Sequence, residues 1–454
     1  MQTTSEDTEK HLGHLIVFLL RCLHYFGSFA MFFLLMSIEN WPLRHLSRTL
    51  ATTLLTWWSM TAAMHAIYGG YDVGRKKNRP IISGLSLSCV MTDLVTYLQL
   101  QIMNTNSNAN EHLELFGTDF LWLLLSIMLQ ILLISLLVRV GNRAYFYYHK
   151  PSASLLIANH AEQLERALQK VSRFRLQWRI AETASADDSE LEERINRAET
   201  VFLVGLTQDV QTRLLRQCYQ KGKNVICKAQ LHDIVLARSE ILVIDDAPFL
   251  EMDGVKITPE QRIIKRCADI LLSSLVLVLL SPLIGLIALA VHFSDGGSVF
   301  FRQRRLTMDG RTFEILKFRT MSASEEEAHS ATAEDSRVTR LGRILRRTRL
   351  DELPQLWNIV KGDMSLVGPR PEMLENIRRY KSELPTFAYR EKMKAGLTGY
   401  AQIEGRYNTS PEDKLMLDML YIEGFSLWLD IQLLFRTLTV LFKPDSTEGF
   451  ASEN

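Results

Sequence analysis

Long apolar stretches occupy the first third of the chain, at 15–36, 50–68, 81–103 and 120–140. Each approaches the ~20 residues that cross a bilayer core, so the pattern predicts four spanning helices within 1–150. The first begins too late and runs too long for a cleaved leader, and no small-residue cleavage site follows it. The fourth is the most apolar. The third carries Asp93 among several Thr and Gln residues, and the first contains Arg21, whose stem is long enough to snorkel. The connecting loops differ in charge. The second holds Arg75, Lys76, Lys77 and Arg79, the third has no Lys or Arg across 104–116, and Arg139, Arg143 and Lys150 follow the fourth stretch. The positive-inside rule then places the second loop and everything after the fourth span in the cytoplasm. Arg44 and Arg48 in the first loop fit this topology less well.

The pattern changes over 151–258. Short apolar runs at 154–158, 200–206, 224–227 and 241–244 read as buried strands, and helical periodicity fills 160–171 and 209–222 between them. That alternation predicts a small parallel sheet. The first strand runs into Ala158-Asn159-His160 with no glycine, so the turn lacks the close backbone approach that a dinucleotide pyrophosphate needs. A regulatory or dimerising role is expected of this unit.

A further apolar run covers 270–293, again long enough to span, but Ser281-Pro282 interrupts it near its middle. Proline removes a helix hydrogen bond and bends the chain. Lys265 and Arg266 precede the run, and Arg302, Arg304 and Arg305 follow it. With both flanks basic, a broken helix that enters and leaves by the cytoplasmic face is expected.

Composition narrows the classes. The net charge is +1, which gives no global attraction to nucleic acid. Five scattered cysteines with no CxxC pair argue against a disulfide framework or a zinc site. Charge is concentrated instead: Arg337, Arg340, Arg343, Arg346, Arg347 and Arg349 are crowded together, with Arg340, Arg343 and Arg347 on one helical face and Leu341, Ile344 and Leu345 on another. Such a helix suits either an anionic lipid surface or forked recognition of phosphate. Asp351 and Glu352 follow at once. Adjacent acids beside arginines are commonly salt-bridged, and the reactive alternative makes one a nucleophile or metal ligand. Gly368-Pro369-Arg370-Pro371 reads as a rigid loop presenting an arginine, and Gly396–Gly399 with Gly405-Arg406 as loops permitting close backbone approach. The run 426–442 reads as a core helix or one lying in the interface.

The stretch from Arg349-Leu-Asp-Glu-Leu-Pro-Gln-Leu-Trp-Asn358 to Lys361-Gly-Asp-Met-Ser-Leu-Val-Gly-Pro-Arg-Pro371 resembles the bacterial sugar transferases, the monotopic polyprenyl-phosphate phosphoglycosyl transferases. Lys265-Arg266 with Asp269, Ser281-Pro282, Phe301-Arg302-Gln303-Arg304, Lys317-Phe318-Arg319-Thr320-Met321, Asp335, Arg337 to Arg340, Gly399-Tyr-Ala-Gln402, Gly405-Arg406, Asp418 and Tyr421 extend the resemblance over about 261–442. The layout is similar to the large subclass. That implies a four-helix transmembrane bundle (1–150), a degenerate Rossmann-like cytoplasmic α/β domain (151–258), and a mainly helical catalytic domain with a re-entrant membrane hairpin kinked at Ser281-Pro282 (261–454). The implied reaction moves a sugar-1-phosphate from a UDP-sugar to polyprenyl (undecaprenyl) phosphate at the bacterial cytoplasmic membrane, releasing UMP and starting a lipid-linked surface glycan. Asp351 would be the nucleophile, forming a phosphoryl-aspartate. Glu352 would help hold Mg²⁺ with Asp351 or manage a proton, and Arg370 would hold a phosphate. Lys317, Arg319, Arg337, Gln402 and Arg406 would complete the phosphate and substrate contacts. Glucose and galactose are the favoured sugars, and a homodimer formed through the N-terminal half is expected. The competing reading is a catalytically inactive membrane-anchored regulator of glycan assembly, which the presence of both acids disfavours.

Overall fold

A computed structural model describes residues 2–107, 115–252, 257–321, 338–405 and 409–440. The chain is mostly helical, with some sheet. It divides into two compact units, Met1–Lys228 and Ala229–Asn454.

The first unit opens with helices α1 (Gln2–Glu39), α2 (Arg48–Tyr68), α3 (Asn78–Ser107) and α4 (Thr118–Tyr148). Segments of α1, α3 and α4 (His11–Glu39, Asn78–Thr105 and Thr118–Tyr148) are long and apolar enough to cross a membrane. Helix α2, with 21 residues, has the length. Its Thr49, Thr52, Thr53, Thr56, Ser59 and Thr61 dilute its apolar character. Most of the polar residues noted in the third apolar stretch, including Thr92, Asp93 and Thr96, are buried. The Asp93 carboxylate accepts from Trp57 Nε1 at 3.3 Å and Gln130 Nε2 at 2.6 Å, tying α2, α3 and α4 together. An acid inside an apolar bundle demands such partners.

Strands β1 (Ser152–Ile157), β2 (Trp178–Ala184), β3 (Thr200–Leu203) and β4 (Asn224–Cys227) alternate with α5 (Ala161–Ser172), α6 (Leu191–Arg197) and α7 (Gln208–Gln220). They form a parallel sheet in the order β2-β1-β3-β4. The strands expected near 154, 200 and 224 are present. Strand β2 was not expected, because its outward positions alternate as an edge strand's do and break the apolar run. The loop after β1 is held by Asn159, whose Oδ1 accepts from the Ala186 amide at 3.2 Å.

The run at 241–244 is not a buried strand of that sheet. After α8 (Leu231–Leu236), β5 (Glu240–Ile244) and β6 (Ala247–Glu251) form an antiparallel hairpin in the second unit. All of β5 is exposed, so its apolar residues are not part of a core. A short apolar run does not by itself reveal whether it is covered.

Helix α9 (Pro259–Leu279) starts at a capping box, in which Thr258 and Gln261 each bond the other's backbone amide. It breaks at Leu280, and α10 (Ser281–Asp295) leaves at 64°. Pro282 falls in the first turn of α10, where a missing amide hydrogen costs little. Leu271, Val278, Leu279, Leu286 and Phe293 on these two helices are exposed, a surface suited to lipid. The hairpin β7 (Phe300–Leu306) and β8 (Thr312–Phe318) follows. Then come α11 (Arg340–Thr348), α12 (Gln355–Lys361), β9 (Ser365–Val367), α13 (Leu374–Glu383), β10 (Gly396–Thr398), α14 (Tyr400–Ile403), α15 (Pro411–Glu423) and α16 (Leu427–Val440). Their core gathers Ile359, Met364, Val367, Phe387, Leu415 and Leu433. Helix α16 buries Leu429 and Leu433 and exposes Trp428 and Ile431.

The foot of α9 is fixed to this core by the residues of the Lys265-Arg266-Asp269 motif. Lys265 Nζ meets the Asp430 carboxylate at 2.5 Å and donates to Val367 O at 3.0 Å. Arg266 caps the end of α12 through the Ile359 and Val360 carbonyls at 2.6 and 2.7 Å. Asp269 accepts from the Leu366 amide at 2.9 Å and Ser365 Oγ at 3.1 Å. These three charges are buried or half-buried, and each is satisfied by a partner.

Candidate active site

Helix α11 ends at Arg349, which takes the left-handed conformation (φ 56°) and turns the chain sharply. Asp351 and Glu352 sit in the short 3₁₀ turn that results, and Pro354 leads into α12. Neighbouring side chains on such a turn point in different directions and meet different partners. The Glu352 carboxylate is 3.0 Å from Lys317 Nζ, which β8 delivers, and 3.7 Å from the Arg370 guanidinium. Burial opposes its ionisation, but Lys317, Arg370 and Arg349 outweigh that and hold Glu352 well below the usual carboxylate range. Asp351 goes the other way. Burial and the adjacent Glu352 charge push its carboxyl up, against the pull of Lys317 and Arg346. Two neighbouring acids with proton affinities driven apart are a frequent mark of catalytic division of labour.

Arg370 lies just beyond β9, in the expected Gly368-Pro369-Arg370-Pro371 loop, and its side chain is 44% exposed. The loop's glycines serve backbone-to-backbone approach rather than an open cradle. A Cβ on Gly368 would come 2.2 Å from the Lys394 carbonyl, and one on Gly396 would stand 2.0 Å from the Gly368 nitrogen. Strands β9 and β10 therefore press together beneath Arg370. Arg390 reaches back to donate to the Arg370 carbonyl at 2.6 Å, and its guanidinium pairs with Asp418 at 2.8 Å. Glu372 is buried beside Lys414 at 3.3 Å. Burial raises its proton affinity, yet Lys414, Arg390, Arg370 and Arg305 together bring it below the ordinary value. Burial, with the Arg370 charge, brings Arg305 down to about 10.

The structure thus gathers Asp351, Glu352, Lys317 and Arg370. Arg319 is buried at the end of β8, its guanidinium against the Gly297 backbone. Gln402 is buried in α14 and donates to the Gly396 carbonyl at 3.3 Å, supporting β10. Ser281 and Pro282 stand at the break between α9 and α10. Arg337 and Arg406 lie outside the described residues. Arg305, Glu372, Arg390 and Asp418 were not expected around Arg370. Asp418 and Arg305 stood in recognised stretches, but Arg390 had no local signal, because only the fold brings it to the loop.

Residues 260–444 match the model of the bacterial sugar transferase family. A UDP-glucose:undecaprenyl-phosphate glucose-1-phosphate transferase of Caulobacter vibrioides is 41% identical over 189 residues, 40% of this chain and 71% of that protein. The chain belongs to the bacterial sugar transferase family. A Klebsiella pneumoniae protein of the same name is 41% identical over 203 residues, covering 41% of this chain and 44% of the relative. The UDP-N-acetylgalactosamine-undecaprenyl-phosphate N-acetylgalactosaminephosphotransferase of Aeromonas hydrophila is 39% identical over 189 residues, 40% of this chain and 45% of the relative. The chain thus spans less than half the length of the last two. In this family member the matched segment holds the acid pair, Lys317 and Arg370, together with the foot of α9 that carries the apolar hairpin.

Proposed function

We propose that this protein transfers a sugar-1-phosphate from a UDP-sugar to undecaprenyl phosphate through a covalent phosphoryl-aspartate. The observation that carries the proposal is the acid pair, with Glu352 held ionised by Lys317 and Arg370 and Asp351 beside it without a salt bridge among the described residues. An Asp351 carboxylate oxygen attacks the β-phosphorus. The bond from that phosphorus to the bridging oxygen breaks, and UMP leaves. An oxygen of the lipid phosphate then attacks the phosphoryl-aspartate, releasing Asp351 and giving the polyprenyl-diphosphate sugar. Arg370, exposed yet fixed at its backbone, is placed to steady a phosphate through its fork. Asp351 and Glu352 offer hard oxygen ligands of the kind Mg²⁺ takes one or two of, alongside substrate phosphates. The described residues hold no group of three or more candidate metal-binding side chains, so these two carboxylates are what the chain would offer the ion. When bound, the ion would neutralise diphosphate charge.

In this reading α1–α4 cross the bacterial cytoplasmic membrane, α9 and α10 re-enter it from the cytoplasmic side, and the acid pair works on that side, where nucleotide sugars are found. The product would open a surface glycan such as an exopolysaccharide, and the protein would act as a homodimer. UDP-glucose is the first donor to test, since relatives are named for it, followed by UDP-galactose and the N-acetylated sugars. UMP release by the purified protein with Mg²⁺ and undecaprenyl phosphate tests the reaction beside Asp351→Asn. Lipid-dependent release that the variant loses supports it. Release that survives in the variant removes Asp351 as nucleophile, and no release with any donor favours the inactive regulator.

A further inference from the structure

Helix α11 carries charge on its exposed side. Its Arg346 turns inward, donating from Nε to Thr320 Oγ1 at 2.8 Å. Leu345 is buried, and Leu341 packs with it against Ile287 and Val291 of α10, in the apolar hairpin. Gly342 presses on the Thr320 carbonyl, where a side chain would not fit. The opposite face presents Arg340, Arg343, Ile344 and Arg347, all exposed. At 100° per residue these four fall within an arc of about 100°. The expectation that Ile344 would line up with Leu341 and Leu345 does not hold: it stands 60% exposed among the arginines. No acidic side chain pairs with Arg340, Arg343 or Arg347 among the described residues.

From this juxtaposition we infer that the outer face of α11 docks on anionic phospholipid headgroups, beside the point where the α9–α10 hairpin meets the bilayer. Three exposed guanidiniums match a negative leaflet, and the exposed isoleucine suits the headgroup–acyl boundary. Continuity with the hairpin brings the face to the membrane, since Leu341 and Leu345 rest on the same helix whose other residues are exposed and apolar. The role is separate from phosphate handling at Asp351 and goes beyond the transfer reaction. Each basic residue near an anionic surface contributes roughly a fivefold preference, so three favour docking about a hundredfold.

The test is amide hydrogen exchange of residues 338–349 in the full chain, held in nanodiscs of phosphatidylcholine alone or mixed with phosphatidylglycerol. Wild type should exchange at least ~10-fold more slowly in the anionic discs, and raised salt should remove the difference. The combined variant Arg340→Gln, Arg343→Gln and Arg347→Gln should exchange equally in both. Exchange at 365–380 reports whether the variant is folded; if it is not, the wild-type lipid and salt comparison decides alone. Equal wild-type exchange in the two lipids overturns the inference, as does a lipid effect that persists in the folded variant. Equal slowing by inorganic phosphate or UDP in neutral discs also overturns it, assigning the face to soluble phosphates.

Discussion

The Arg390–Asp418 pair offers a perturbation whose size follows from burial. Their side chains are 5% and 2% exposed, 2.8 Å apart, and Arg390 also holds the Arg370 carbonyl. Removing one member of such a pair leaves an uncompensated buried charge and costs about 3–5 kcal/mol. The two single variants should nonetheless differ. In Asp418→Asn, Arg390 stays charged but keeps an attraction to Glu372, so the loss should fall toward the lower bound. In Arg390→Met, Asp418 escapes by taking a proton. Burial already pushes its carboxyl up to about 6 even with Arg390 beside it, and without Arg390 it must rise further. A carboxyl raised in the folded state holds a proton that the unfolded chain gives up, so stability falls as pH climbs from the ordinary carboxylate range through the raised value. Arg390→Met should therefore melt closer to wild type at pH 5 than at pH 8. At pH 8 a lowering of roughly 10 °C is expected for a unit of this size, followed by thermal scanning in nanodiscs. The double variant should lose less than the sum of the singles. A pH-independent Arg390→Met deficit, or strict additivity, would refute the burial reasoning. Loss of the Arg370 carbonyl contact should also lower kcat/KM by at least ~10-fold, the effect of a misplaced phosphate clamp.

Other consequences follow from the same geometry. Because burial and Glu352 both raise the Asp351 carboxyl, the acid limb of single-turnover activity should lie above the ordinary carboxylate range. Glu352→Gln should be slower and move that limb to lower pH, and an unmoved or raised limb would contradict the assigned cause. Gly368→Ala puts a methyl 2.2 Å from the Lys394 carbonyl, so β9 and β10 must part. UMP release should drop at least ~10-fold, and wild-type activity would show that the close approach is dispensable. Lys265→Met strands Asp430 and frees the foot of α9, at a cost of about 3–5 kcal/mol. Limited proteolysis near 257–265 should quicken, and unchanged cleavage would mean that Arg266 and Asp269 anchor the helix alone.

The sequence was informative wherever a local rule governs structure. The apolar stretches became helices because an uninterrupted apolar run of that length has few other folds, and Ser281-Pro282 marked the 64° break because proline withholds a hydrogen bond. The acid pair was legible through its neighbours in the chain. Other features depended on tertiary placement. The run at 241–244 carries apolar residues suited to burial yet is exposed, whereas β2 joins the sheet with a mixed polar pattern, and only the packing around them decides. Arg390 is separated from Arg370 by α13 and meets it through folding alone. Gly368 was read as part of a rigid loop and Gly396 as a loop open to a phosphate or ring, but the two glycines instead let the chain's own strands approach each other.

That last point bears on how the site reconciles anchoring with chemistry. Strand β9 receives two supports on one short segment. From one side Lys265, Asp269 and Tyr421 bind Val367, Ser365 and Leu366, so the foot of the apolar hairpin grips the strand directly. Where the strand ends, Gly368 packs on β10 and Arg370 emerges, its carbonyl held by Arg390. The helix proposed to enter the membrane and the arginine proposed to hold phosphate are thus set on one element only a few residues long. An enzyme joining a water-soluble phosphate to a lipid-borne one needs the two phosphates at a fixed depth relative to the bilayer surface. A strand clamped this way supplies that depth without a hinge. The charges at the foot of α9 therefore have no need of substrate contact: if the hairpin re-enters the membrane as proposed, they would couple its position to Arg370, which lies beside Glu352.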